Sequence, residues 1–401
     1  MISVQEALDN ITGSIDLLAA EQVGITDALG RVLAEDISAR LTQPPVAVSS
    51  MDGYAVRSAD TSTKPSLLEL IGESAAGSRF DGVVGPGQTA RIFTGAPLPQ
   101  GADAVIMQED SQTDGSTITF NEVAFPGKFV RPAGLDFEQG QVLLNAGKRL
   151  TARDLGLAAS MNVPWLMVRR QPRVAYIATG NEIVMPGDTV RQDQIVSSNS
   201  ITLGAFIKAQ GGIPVDLGIA LDSVDSLKQR LMAARGADML VTIGGASVGD
   251  YDLVRSVLGD NDLDLTFYKV AMRPGKPLIF GKMGETPVLG LPGNSVSASI
   301  TSMIFLKPAL SVMQGTWQQQ TRFETAVLGC DLGENDLRQE YLRASLDVDE
   351  AGNLTATPFD KQDSAMMARL AAADCLVMRP PHAPGMKRGE RVKIIRFDQS
   401  V

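Results

Sequence analysis

The spacing of apolar residues changes several times along the chain, and each change predicts a different kind of element. Ser3-Val4-Gln5-Glu6 has the form of a capping box, and Val4, Ala7, Leu8 and Ile11 follow at helical spacing. The first ~40 residues are therefore expected to be mostly helical. From Gln43-Pro44-Pro45 to about Gly147 the apolar runs become short, as in Ala90–Phe93 and Ala104–Met107. Gly and Pro punctuate them, as in Gly85-Pro86-Gly87 and Phe125-Pro126-Gly127, which predicts a β-rich module. Thr151-Ala152-Arg153-Asp154 is a second capping pattern that opens a short helix to about Ser160. Helices on both sides of the β-rich stretch predict one small helical domain made of two separated segments.

Residues 172–318 alternate strand and helix patterns. Val174–Ala178 is an apolar run of the buried-strand kind, and a helix is expected around Ile201, Phe206 and Ile207. Strand 213–219, helix 223–235, strand 239–243 and helix 252–258 follow. Strands 265–271, 278–281 and 287–290 and a helix at 295–313 complete the region. Ser223 is placed to cap helix 223–235, which carries Val224, Leu227 and Leu231 on one face. Such alternation implies right-handed βαβ units and a mostly parallel sheet. The tail, 320–401, has alternating runs at Glu340–Leu346 and Arg391–Ile395 and a short helical stretch near 364–373, which predicts a small β-domain.

Composition narrows the chemistry. The 401 residues hold 36 Lys and Arg against 46 Asp and Glu, a net charge of −10, which argues against a nucleic-acid coat or an anionic-membrane binder. Cys330 and Cys375 have no zinc-ligand spacing and form no disulfide framework, and the single histidine, His382, sits among prolines. The expected chemistry therefore runs on carboxylates, Lys, Arg, hydroxyls and backbone N–H groups. The N-terminal stretch has no cationic region and no long apolar core. No apolar run approaches the ~18–20 residues of a membrane span, so a soluble, cytoplasmic protein is expected.

In an open parallel sheet, ligands bind beyond the carboxyl ends of the strands. Five segments follow predicted strand ends: Thr179–Glu182, Ala220–Asp222, Gly244–Asp252, Met272–Pro277 and Leu291–Ser295. The Gly244-Gly245 turn, with Ser247 behind it, opens a helix whose N–H groups can cradle an anion, although no Walker or GxGxxG pattern is present. Glu182, Asp222 and Asp252 at three strand ends suit Mg²⁺ bridging phosphates. Between Lys269 and Lys282 stand Lys269, Arg273, Lys276 and Lys282 with no carboxylate among them, which suits an oxyanion clamp.

Eight segments, taken in order, resemble the MoeA family of molybdopterin molybdenumtransferases, related to the E-domains of gephyrin and of plant molybdenum-insertion proteins. They are SSMDGYAVR (49–57), TGAPLPQGADAVIMQED (94–110), FVRPAGLDF (129–137), VAYIATGNEI (174–183), QIVSSN (194–199), IGGASVGDYD (243–252), MRPGKP (272–277) and GLPGN (290–294). The resemblance implies an α/β plus β, multi-domain fold. Its expected parts are a discontinuous helical domain (1–42 and 140–170), a β-rich inserted domain (43–139), a MogA-like three-layer α/β domain that binds molybdopterin (171–319) and a C-terminal β-barrel-like domain (320–401).

For function, the resemblance implies insertion of molybdate into adenylated molybdopterin, with Mg²⁺-dependent hydrolysis releasing AMP. Asp52, Thr94, Asp136, Glu182, Asp222 and Asp252 match the family's functional polar set, with Glu182 and Asp252 expected to position Mg²⁺. Gly244, Gly245, Ser247, Arg273, Lys276, Pro292, Gly293, Asn294, Arg343 and Ser364 match the surroundings of molybdate and the adenylated pterin. Arg273 stands where many members carry lysine, and Ser295 stands where proline is common. Ser295 is expected to cap the helix it opens. The resemblance also implies a homodimer with a cleft shared between subunits. A MogA-type adenylyltransferase and molybdoenzyme apoproteins or chaperones are the partners it implies, with neither nucleic acid nor membrane. A non-catalytic molybdopterin-binding scaffold and a CinA-type nucleotide hydrolase are the alternatives from other classes.

Overall fold

The computed structural model describes residues 1–244, 263–316, 323–348 and 352–397. The chain divides into two compact units. One comprises Gln22–Leu29 and Leu33–Met167; the other comprises Met1–Glu21, Gly30–Val32 and Val168–Val401.

The first capping box forms as expected. In α1 (Val4–Gly13) the Ser3 hydroxyl accepts from the Glu6 N–H, and the Glu6 carboxylate accepts from the Ser3 N–H. Beyond α1 the expectation of a mostly helical start is overturned. Residues 22–42 form a three-residue turn at Ile25–Asp27 and short strands, because distant backbone supplies their partners. The N–H groups of Leu33, Ala34 and Ala39 donate to the carbonyls of Lys148, Met167 and Gln141. Strand Ile37–Ser38 pairs antiparallel with Val142–Leu144, so segments 1–42 and 140–170 do meet. They meet through strands and loops, while α1 belongs to the other unit.

The β-rich unit is built on one six-stranded sheet. Its strands are β1 (Gly53–Val56), β2 (Ser66–Ser74), β3 (Gln88–Ile92), β4 (Ala104–Met107), β5 (Ser111–Asp114) and β6 (Thr117–Phe120), in the order β4-β1-β3-β2-β6-β5. β2 and β3 run parallel and the other pairs antiparallel. β1 is buried on both faces. Tyr54 and Val56 pack with Ile106, Ile118 and Phe120, while Ala55 packs with Ile92 and Val105. Gly53 is demanded by the pairing: a Cβ there would lie 2.0 Å from the Ile106 carbonyl oxygen. Helix α2 (Ala152–Ser160) starts as predicted, with Asp154 accepting from both the N–H and the hydroxyl of Thr151.

The other unit holds a three-layer α/β sandwich. Its elements are β7 (Arg173–Thr179), α3 (Ser198–Ala209), β8 (Ile213–Ala220), α4 (Val224–Met232), β9 (Met239–Ile243), β10 (Leu263–Lys269), β11 (Met272–Arg273), β12 (Pro277–Met283), β13 (Thr286–Leu291) and α5 (Ser295–Gln314). The sheet order is β8-β7-β9-β13-β12-β10, parallel through β13 and antiparallel across the last two pairs. Alternation along β7 feeds two cores. Val174 and Tyr176 join α1, α3 and α5 through Ile11, Phe206 and Phe305, and Ala175 and Ile177 meet α4 through Leu227 and Leu231. The expected helix 252–258 lies outside the described residues.

α5 corrects the expectation that no segment is long and apolar enough for a membrane. It passes that test among the described residues, but 78% of its apolar stretch is buried in the protein. Its polar Ser and Thr positions broke the run in sequence. Ser299, Thr301 and Ser302 satisfy their hydroxyls on carbonyls one turn back.

The tail forms β14 (Glu324–Leu328), β15 (Gln339–Val348), β16 (Leu354–Pro358), α6 (Met367–Ala371), β17 (Cys375–Arg379) and β18 (Arg391–Arg396). The order β15-β16-β14-β18-β17 returns through a β17–β15 pairing, which closes a five-stranded barrel. Strand β11 adds to β15 in parallel, with Arg273 opposite Glu340.

Candidate active site

Helix and strand termini of the α/β domain converge on a cavity of about 890 Å³ at the carboxyl edge of the sheet. The turn after β7 brings Gly180 and Glu182, the turn after β8 brings Asp222, and Gly244 follows the end of β9. The loop after β10 brings Arg273 and Lys276, and the turn after β13 brings Pro292, Gly293 and Asn294. These strand-end residues are those the sequence placed at one edge. Gly245, Ser247 and Asp252 lie outside the described residues.

Glycine shapes the floor. Gly244 has φ +88, and a Cβ there would sit 2.9 Å from the Thr179 carbonyl oxygen. Gly275 has φ +105, and a Cβ would strike the Thr301 side chain at 2.5 Å. The loop from β10 can therefore lie flat against α5 only with glycine at this position.

Two helices start at the cavity. Ser197 precedes α3, but its hydroxyl bonds Ser200 Oγ instead of a first-turn N–H. Asn294, not Ser295, occupies the cap position of α5. This corrects the sequence expectation: Ser295 is already the first helical residue. Asn294 spends its amide on Ser364 Oγ at 2.8 Å, and the Val296 N–H donates to the Ser364 carbonyl at 3.0 Å. The Asn199 amide donates to the Gly293 carbonyl at 2.7 Å and locks the two helix starts together. Helix starts without side-chain caps are favourable surroundings for an anion.

Charge in the cavity is arranged unevenly. Asp222 and Asn181 form a reciprocal pair: the Asn181 N–H donates to Asp222 Oδ2 at 3.2 Å, and the Asp222 N–H donates to Asn181 Oδ1 at 3.1 Å. The Glu182 carboxylate folds over Gly180, where an added Cβ would meet it at 2.6 Å. Lys276 is exposed and makes no ion pair among the described residues. Arg273 is engaged: its guanidinium bonds Glu340 and lies 3.5 Å from Asp336 Oδ2 and from Asn335 Oδ1. The stretch from Lys269 to Lys282 contains no carboxylate in sequence, yet the barrel supplies two in space.

Arg343, which the resemblance matches to the surroundings of molybdate, stands outside the cavity lining. It is almost fully buried under the loop 362–366. Its guanidinium donates to the carbonyls of Asp363 (3.0 Å) and Met366 (3.2 Å) and to Gln362 Oε1 (3.3 Å). Burial pulls its pKa down from the usual value, and the three acceptors compensate. Arg343 thus shapes the loop that presents Ser364, which does line the cavity.

Arg338, Asn181, Asn199 and Gln362 are cavity or supporting residues that the sequence reading passed over. Asn181 and Asn199 stand inside the quoted motifs. Arg338 and Gln362 carry no local signal; the fold of the tail brings them in. Arg338 pairs with Asp336, whose carboxyl is held down to about 2, chiefly by that side-chain bond. Cys375 is buried, its thiol pushed up to about 12 by burial, and His382 sits on an exposed turn; neither lines the cavity.

In the β-rich unit, Asp52 and Thr94 come together. Asp52 Oδ1 accepts from both the N–H and the hydroxyl of Thr94 at 2.7 Å, and these bonds hold its carboxyl below the usual range. Arg91 stacks at 5.0 Å on the rings of Tyr54 and Phe93 beside them. Asp136 is not part of this pair. It is exposed, and its N–H donates to the Gln43 carbonyl.

Known proteins match this arrangement along nearly its whole length. The MoeA N-terminal region (domain I and II) matches residues 2–162, a probable molybdopterin binding domain matches 175–312, and the MoeA C-terminal region (domain IV) matches 325–397. Fold and site together define an enzyme of molybdenum cofactor biosynthesis. The molybdopterin molybdenumtransferase of Haemophilus influenzae is 32% identical over 94% of each chain. Molybdopterin molybdenumtransferase 2 of Mycobacterium tuberculosis is 33% identical over 98% of this chain and 99% of its own. The crystal structure of a molybdopterin biosynthesis MoeA protein from Pyrococcus horikoshii superposes with a TM-score of 0.86 at 32% identity, covering 99% of both chains. The chain belongs to the molybdopterin molybdenumtransferase family.

Proposed function

We propose that the enzyme takes molybdopterin carrying AMP on its phosphate, accepts molybdate and hydrolyses the phosphoanhydride, releasing AMP as molybdenum passes to the dithiolene sulfurs. The observation that carries this reading is the strand-end cavity, which is lined by Lys276, an ammonium without an ion pair among the described residues, by two helix starts without side-chain caps, and by Glu182 and Asp222. An anion such as molybdate or phosphate is held by converging N–H, O–H and cationic donors at about 2.7–3.0 Å. Lys276, the Ser364 hydroxyl and the N–H groups at the helix starts are such donors.

The acidic side suits Mg²⁺. No group of three or more His, Cys, Asp or Glu forms a metal cage among the described residues. Mg²⁺ is characteristically held by one or two carboxylates plus phosphate oxygens, and Glu182 and Asp222 are carboxylates of this kind. When bound, the ion neutralises charge on the phosphoanhydride oxygens. Asp252, the further carboxylate expected there, falls outside the described residues.

Homodimerisation with a cleft between the α/β domain of one subunit and the β-rich unit of the other is part of the proposal. What supports it is that Asp52 and Thr94 are exposed and face no cation within hydrogen-bond reach among the described residues. The cytoplasm, where adenylated molybdopterin would come from a MogA-type adenylyltransferase, is the proposed location. Purified protein with Mg²⁺ and adenylated molybdopterin should release AMP only after molybdate is added. Glu182→Gln and Asp252→Asn should keep the fold and lose this release. AMP release independent of molybdate, or wild-type turnover in both variants, would overturn the reading.

A further inference from the structure

Three adjacent strands carry a row of alternating charge from the cavity loop into the barrel. Arg273 on β11 stands opposite Glu340 on β15, and Glu340 stands opposite Arg379 on β17. Glu340 bonds the Arg273 guanidinium with one oxygen and lies 3.7 Å from Arg379 Nη1 with the other. Its side chain is 9% exposed and that of Arg379 is 4% exposed, so solvent screens these two little, whereas the Arg273 side chain at the cavity end of the row is 43% exposed. Arg379 also donates to the carbonyls of Ala383 and Pro384, and its Nε has no hydrogen-bond partner among the described residues. Asp336 stands at 3.5 Å on the other side of Arg273. Three residues further along the loop, Lys276 makes no ion pair among the described residues and lines the same cavity.

We infer that Glu340 is a positioning residue that draws Arg273 onto the barrel and neutralises it, so that Lys276 alone of the two loop cations binds the tetrahedral oxyanion. The inference rests on the molybdate reading of the cavity and deepens it. Glu340 cannot release the Arg273 guanidinium cheaply, because its Oε1 would lose a charged hydrogen-bond donor in a largely buried setting. Arg379, 3.7 Å from the other oxygen, remains beside Glu340 and offsets only part of that cost. The planar fork of Arg273 fits this arrangement. One of its nitrogens serves Glu340 while the other faces Asp336, which a lysine's point charge cannot do in the same geometry. The consequence is a cavity with less positive charge than its sequence suggests, and therefore a weaker hold on competing dianions such as sulfate.

Molybdate and sulfate binding to the full-length protein, measured by calorimetry, tests this through a double-mutant cycle. Lys276→Gln should raise the molybdate Kd about tenfold or more. Arg273→Gln should change it less than about twofold, because its charge is already compensated. Glu340→Gln frees the guanidinium, so sulfate and molybdate should both bind several-fold tighter, and adding Arg273→Gln should erase that gain. A merely structural role for Glu340 would lower thermal stability without tightening oxyanion binding through Arg273. Where Glu340→Gln fails to fold, the two single loop variants decide the matter. Arg273→Gln weakening molybdate binding as much as Lys276→Gln would overturn the inference and leave the site reading intact. Lys276→Gln with unchanged molybdate binding would overturn the site reading, and the inference with it.

Discussion

The strand-end cavity of the α/β domain and the Asp52–Thr94 corner of the β-rich unit are both rich in matching motifs, yet they are made differently. The cavity is assembled from strand-end turns, two helix starts and a loop of the barrel, and it mixes carboxylates, cations and hydroxyls with the tied amides of Asn199 and Asn294. The corner is one carboxylate on one hydroxyl and one N–H, at the end of a strand buried on both faces. A surface made from many turns can share out charge and adapt. A corner hung on a single strand depends on that strand's register. The motif glycines show the contrast: Gly53 is crowded by backbone, Gly180 by the tip of a flexible carboxylate.

The comparison breaks most sharply if the two regions are halves of one active centre from different subunits. Asp52→Ala and Glu182→Ala homodimers should each lose roughly a hundredfold or more of AMP release. Subunit exchange should then give about half heterodimers, each with one intact cleft, and restore about a quarter of wild-type activity. Native mass spectrometry confirms the heterodimers. No recovery in their presence would place both carboxylates in one subunit's centre.

A smaller effect separates the two glycines. Gly53→Ala drives a Cβ into the Ile106 carbonyl and should cost about 4 kcal/mol or more, or prevent folding of the β-rich sheet. Gly180→Ala meets a side chain that can swing away, though at φ +148. It should cost about 1–3 kcal/mol in thermal denaturation while displacing Glu182 and lowering turnover. Equal stability losses would mean that both turns are held by backbone.

Arg343→Met should cost about 2–3 kcal/mol, since Asp363 and Met366 lose donors in a buried setting. Its molybdate affinity should fall through disorder of the Ser364 loop, and a crystal structure of the variant would show that loop displaced. A variant with an unmoved loop and lost affinity would return Arg343 to direct contact with the anion.

The mildest prediction concerns protons. Asp52 has a depressed pKa in the folded protein, so its bonds to Thr94 stabilise the fold above the ordinary carboxylate value. That contribution is lost as pH falls through the lowered folded-state value. Thr94→Val removes the hydroxyl and should raise the Asp52 pKa, as NMR titration of the carboxyl would report. An unchanged pKa would assign the depression to the remaining N–H bond and to Arg91.

Much of the fold was legible because local patterns and tertiary demands agree. The α1 capping box, the Thr151–Asp154 pair, strand Met239–Ile243 and the α4 cap at Ser223 all stand where periodicity and capping residues put them. The strand-end rule alone gathers Glu182, Asp222, Lys276 and Asn294 into one cavity, because parallel βαβ order dictates that edge. Local pattern failed wherever the partner was remote. Residues 22–42 take their backbone partners from 140–167, so their helical expectation had nothing to sustain it.

What the sequence determined by itself was therefore the set of elements, their order and the edge at which chemistry gathers. Only the tertiary structure decided how charge is spent there. Glu340 and Asp336 lie more than 60 residues from Arg273 and engage its guanidinium. Arg343 turns away from the cavity to hold carbonyls, and Asn294 gives its amide to Ser364 instead of capping its own helix. The reason is physical: secondary structure is fixed by neighbours a few residues apart, whereas the electrostatic state of a side chain is fixed by whatever folding packs against it.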